Sequence, residues 1–126
     1  MSGNKKILLF NINAGKAALI KSVCGGMGIQ TVTIYKNQYG EKIGALAGIK
    51  GFPPSMAVYG GEDFAAEMMI ICGLTSKELD EFLEKYRDAK IPPVGLKATV
   101  TPHNISWSAA ELYRELTQEH NFFQNR

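Results

Sequence analysis

Residues 68–101 read MMIICGLTSKELDEFLEKYRDAKIPPVGLKATVT, and the fold follows from how this stretch divides. Met68–Cys72 is an unbroken apolar run, as expected of a central strand covered on both faces. Thr75 followed by Glu78 is a capping box, and Leu74 ahead of the cap can reach Leu79 as a hydrophobic staple. Leu79, Phe82, Leu83 and Tyr86 then share one helical face, and Ile91-Pro92-Pro93 closes the helix. Gly95–Thr101 alternates Leu96, Ala98 and Val100 with Lys97 and Thr99, the pattern of a half-exposed strand. The stretch is a βαβ unit.

Downstream, Pro102–Asn104 turns the chain and the helix signal repeats: Ser108 as cap, Glu111 as its box partner, Trp107 stapling onto Leu112. A C-terminal helix over 108–123 follows, with Leu112, Tyr113, Leu116, His120 and Phe123 as its stripe. Upstream, a second βαβ unit is legible over 5–35. Lys6–Ile12 (KILLFNI) is a buried strand, Ala14–Met27 a helix with Ile20, Val23, Cys24 and Met27 on one face, and Thr31–Tyr35 (TVTIY) an alternating strand. Gly25, Gly26 and Gly28 suit the left-handed conformations that end a helix. Residues 36–67 carry weaker signals. A short helix over 41–49, with glycines at 44 and 48, or an ordered loop both fit, while Phe52-Pro53-Pro54 and Gly60-Gly61 interrupt. A long connection of this kind is expected to be functional or mobile, and it is a candidate binding loop.

Two βαβ units predict an α+β ferredoxin-like, split-βαβ plait with an added C-terminal helix in one domain over 1–126. The first strand of each unit is continuous and so central; the second alternates and so lies at an edge. An α/β open parallel sheet of four strands gives the same pattern.

The 126 residues suffice for one domain, and 45% hydrophobic with 21% charged residues is a globular balance. No run is long enough for a membrane span, the N-terminus MSGNKKILLF lacks a signal-peptide cleavage pattern, and two cysteines make no disulfide framework. A cytoplasmic location is expected. Charge is uneven: residues 1–61 hold seven lysines and one acid (+6), and residues 62–126 hold seven basic groups and eleven acids (−4). An electropositive face would attract an anionic small molecule or an acidic protein partner; a solvated scatter of lysines is the plain alternative. The dearth of arginine in the first half argues against nucleic acid.

Candidate ligand-binding residues follow. Asn13, Gly15 and Lys16 stand where a strand turns into a helix and could hold an anion on backbone N–H groups, although the phosphate-loop motif is incomplete and an ordinary turn reads the same. Lys42, Gly44 and Gly48 lie in the glycine-rich connection, and Lys97, Thr101 and Asn104 end the last strand. Cys72 precedes a helix cap, where a dipole could favour its thiolate, with Lys97 or His103 to assist; a buried, inert thiol is the simpler reading. His103 and His120, without acids at ligand spacing, make no metal site.

Cys72-Gly73-Leu74, Leu79-Asp80, Leu96-Lys97-Ala98, Thr101-Pro102, Asn104, Trp107, Glu111-Leu112 through Glu119-His120, and Gly44-Ala45-Leu46-Ala47-Gly48 together resemble a family of small bacterial proteins known as a domain of unknown function. The resemblance runs over roughly 5–120, with His103 standing where a small or hydroxyl residue is usual. It implies no particular activity, substrate or cofactor. Two readings remain: a non-enzymatic ligand- or partner-binding module, and an enzyme with Cys72 as nucleophile. A homo-oligomer joined through edge strands is a further expectation.

Overall fold

The chain is described over residues 5–55 and 58–124, and its side chains as far as 119, in a computed structural model. The elements are β1 (Lys6–Phe10), α1 (Ala14–Gly26), β2 (Gln30–Ile34), α2 (Ile43–Leu46), β3 (Met68–Cys72), α3 (Ser76–Asp88), β4 (Leu96–Thr99) and α4 (Ala109–Gln124), with a short 3-10 turn at Lys36–Gln38. The fold is α+β: a four-stranded mixed sheet in the order β2-β1-β3-β4. The apolar runs β1 and β3 are central, and the alternating strands β2 and β4 form the edges.

Each βαβ unit pairs its own strands in parallel, Lys6–Phe10 on Gln30–Ile34 and Met68–Ile71 on Leu96–Thr99. The two units meet through antiparallel β1 and β3, with Lys6 opposite Cys72 and Phe10 opposite Met68. The sheet is therefore mixed rather than wholly parallel, and no strand is inserted between the two strands of a unit as in a split βαβ. A five-residue β1 can be lined on one side by the strand its crossover helix returns and on the other by the second unit, which satisfies both rows of backbone groups.

Alternation along the central strands assigns their side chains to two cores. Ile7, Leu9, Met69 and Ile71 meet Ile20 and Cys24 of α1 and Phe82 and Tyr86 of α3. Leu8, Phe10, Met68, Ile70 and Cys72 meet Tyr39, Ile43, Phe64, Ala109 and Leu112. The sheet is thus covered on one side by α1 and α3 and on the other by α2, α4 and the connection. Burying each large apolar side chain contributes about 1.5–3 kcal/mol, which makes β1 and β3 the centre of stability.

Both capping boxes form. Thr75 Oγ1 accepts from Glu78 N at 3.1 Å while Thr75 N donates to Glu78 Oε1 at 2.9 Å. Ser108 and Glu111 make the same reciprocal pair. The stripe positions His120 and Phe123 lie outside the described side chains. Several boundaries contract. The first strand stops at Phe10 because Asn11 turns to φ 57° and donates its side chain to Phe64 O. β4 stops at Thr99, and the helix expected over 41–49 is a single turn, Ile43–Leu46, ended by Gly48 at φ 71°.

The connection 36–67 is ordered by tertiary contacts. Ile43 and Gly44 donate to Trp107 O and Ile105 O, and Ala109 and Ala110 donate to Glu41 O and Tyr39 O. Phe64 stacks between Tyr39 and Tyr113, with ring centroids 3.8 Å away on each side. Tyr113 Oη accepts from both Ala65 N and Ala66 N at 3.0 Å, so α4 fixes the approach to β3.

Candidate functional site

The expected site residues separate into distinct places. At the start of α1, Asn13 Oδ1 accepts from Lys16 N at 2.8 Å, an ordinary N-cap, and a Cβ on Gly15 would stand at ordinary contact distance, 3.6 Å, from the same oxygen. An anion is already there, and it belongs to the chain. Glu67 pairs with Lys16 Nζ and accepts from Asn13 N at 3.2 Å, while Lys16 Nζ also donates to Pro93 O at 3.0 Å. Desolvation pushes the Glu67 carboxyl up, but hydrogen bonds from Lys16 and Asn13 and the lysine charge outweigh it and hold the group low.

On the other side of the sheet, Lys42 bridges to Ser108 and Gly44 packs beneath the Phe52 ring. A Cβ at Gly44 would fall 2.6 Å from Phe52 Cγ, so this glycine serves close packing. Thr101 and Asn104 form a reciprocal pair: Thr101 N donates to Asn104 Oδ1 at 2.9 Å and Asn104 N to Thr101 Oγ1 at 3.2 Å. Asn104 Nδ2 donates to Thr99 O, so this buried amide closes the turn after β4. Lys97 is exposed on β4, beside Leu79 and Leu83 of α3. His103 sets its ring edge-on to Trp107, with centroids 5.0 Å apart.

Gly48 and Cys72 do come together. With Ile49, Lys50, Gly73 and Val100 they line a cavity of about 520 Å³ where the sheet ends. Lys6, the register partner of Cys72, donates from Nζ to Ala47 O at 2.6 Å and lies 2.9 Å from where a Cβ on Gly48 would stand. Lys6 is the residue that sequence reasoning missed, since it reads as the first residue of an apolar strand. Lys5 is paired with Glu78 and Lys16 with Glu67, but among the described residues no carboxylate lies within ion-pair distance of Lys6. Of the exposed lysines, Lys21 rides on α1 over one side of the sheet, while Lys42 and Lys50 flank α2 over the other.

Cys72 packs with Met68 and Ile70, on the side of the sheet away from α3, so the start of that helix does not act on its thiol. Burial pushes the Cys72 thiol up; Lys6 offsets this in part. Burial drives Cys24 up to about 12. Both cysteines are free, and no group of three metal-ligating side chains occurs among the described residues.

Residues 67–123, which include β3, α3, β4 and most of α4, match the family model described as Domain of unknown function (DUF3783). The likeness to an uncharacterised family thus rests on the second βαβ unit and the helix after it. No curated protein and no solved structure is matched.

Proposed function

We propose that the protein is a non-enzymatic binding module that takes a small anionic ligand in the cavity lined by Gly48, Lys50, Cys72, Gly73 and Val100. The observation that carries this reading is the part-buried Lys6 ammonium beside that cavity, held by one neutral carbonyl while its neighbours Lys5 and Lys16 have carboxylates. An ammonium in such a place gains from an incoming anion: at about 4 Å and an effective dielectric of about 20 the attraction is about 4 kcal/mol before desolvation. Lys50 adds a second positive charge at the mouth, and the glycine backbones leave room for close approach. A raised Cys72 thiol favours binding over nucleophilic chemistry. Two unpaired, buried thiols suit a reducing cytoplasm.

Thermal unfolding of the full chain with inorganic phosphate, a dicarboxylate or a mononucleotide at millimolar concentration tests this. At least one is expected to raise the midpoint, by about 2.7 kcal/mol of stabilisation at a hundredfold excess over Kd. K6M should abolish the rise and K6R should keep part of it. An unchanged midpoint with all three, or a rise that K6M leaves intact, defeats the proposal.

A further inference from the structure

We infer that β2 is the docking edge for a second copy of this chain, pairing antiparallel about Val32 to continue the sheet across a twofold axis. Gln30 N donates to Lys5 O, so alternation in a parallel pair turns Gln30, Val32 and Ile34 towards β1 and the N–H and C=O of Thr31 and Thr33 outward. Among the described residues nothing pairs with those outward groups. The other edge is guarded. Val100 N donates to Ile71 O, so by the same alternation Lys97 and Thr99 face outward on β4. There Thr99 O is already taken by Asn104 Nδ2, and Lys97 places a charge on the strand, two devices that deter edge pairing. β2 has neither, and its sequence QTVTI has no ionisable residue.

The occupant is specified by the strand's own symmetry. With Val32 opposite Val32 of the second copy, each Thr31 faces a Thr33 and both outward-bonding residues meet as hydrogen-bonded pairs. That register matches every free N–H with a free C=O along the shared edge. Beside the edge, Val32, Ile34, Leu46, Pro54 and Val58 line a hollow of about 330 Å³. Val58 is 77% exposed and the adjoining Tyr35 66% exposed. A twofold through Val32 brings two such hollows side by side, which extends the contact beyond the strands.

Sedimentation of the full chain from micromolar to millimolar concentration tests this against two double variants at exposed or half-exposed positions. The wild type is expected to reach twice its 13.8 kDa mass. T31K/T33K sets lysine against lysine at both pairs and should weaken association at least about tenfold. T31K/T33E sets lysine against glutamate in the same register and should restore it. Independently, V32C should form an intermolecular disulfide under oxidised glutathione, with T33C as the slower control, because only residue 32 faces itself. A wild type monomeric throughout overturns the inference, as would a dimer surviving in T31K/T33K or absent in T31K/T33E. V32C and T33C that couple equally would overturn it too. Phosphate binding is a separate readout, so this dimer and the cavity can fail independently.

Discussion

Lys16 and Glu67 close the carboxyl end of the first strand on itself: the lysine that begins α1 holds the acid that leads into β3. The pair joins the two βαβ units at a point where the sheet contributes no hydrogen bond, and Asn13 adds a further donor to the same carboxylate.

Acid should therefore loosen the junction. Glu67 is held below the ordinary 4.5, so its contribution is complete above that pH and is lost as the pH falls through its lowered value. E67Q should cost about 1–3 kcal/mol at neutral pH, because it leaves the Lys16 ammonium without a charged partner. The variant should also show a flatter loss of stability in acid. Glu78, held low by Lys5, and Glu111, held low by the Ser108 N–H, keep part of the slope. Denaturant melts from pH 3 to 7, on the order of the carboxylate range, measure both effects.

Gly44 and Phe52 should behave as one unit. G44A forces a methyl group against the ring and should cost about 1–3 kcal/mol. F52L in the same chain should recover part of that loss, since a smaller, more flexible side chain can yield. A double-mutant cycle by urea unfolding reads the coupling, and additive costs would show that the two do not compete for space.

Asn104 closes the turn after β4 with three hydrogen bonds. N104A should cost about 1–3 kcal/mol through the Thr101 N–H and Thr99 C=O that lose their partner. Hydrogen exchange should find the Asn104–Trp107 turn opening sooner, with β1 and β3 unchanged.

Thiol labelling should be slow for both cysteines in the folded chain. Cys72 lines a cavity but its thiol is raised, so alkylation should follow a midpoint above the ordinary 9.0. Cys24, pushed to about 12, should react only on unfolding. Labelling followed against pH, with and without denaturant, separates the two; a Cys72 faster than a free thiol at neutral pH would revive the nucleophile reading.

Local chemistry made much of the architecture readable. A capping box is complete within four residues, so Thr75–Glu78 and Ser108–Glu111 could be placed without knowing anything further along the chain. Continuous apolar runs marked β1 and β3 as central for the same reason. The candidate site was less legible: Gly44 packs against Phe52 and Asn104 closes the turn after β4, and a glycine against an aromatic ring looks in sequence like a glycine kept clear for a ligand.

Composition and spacing alone determined the two βαβ units, the C-terminal helix and the places where α1, α3 and α4 begin, since these depend on neighbours a few residues apart. Which strands pair, that Lys16 meets its anion 51 residues away, and that Lys6 lies next to Gly48 of a cavity lined by no carboxylate were decided only by the tertiary structure. Such relationships depend on distances across the sheet, and no periodicity along the chain encodes them.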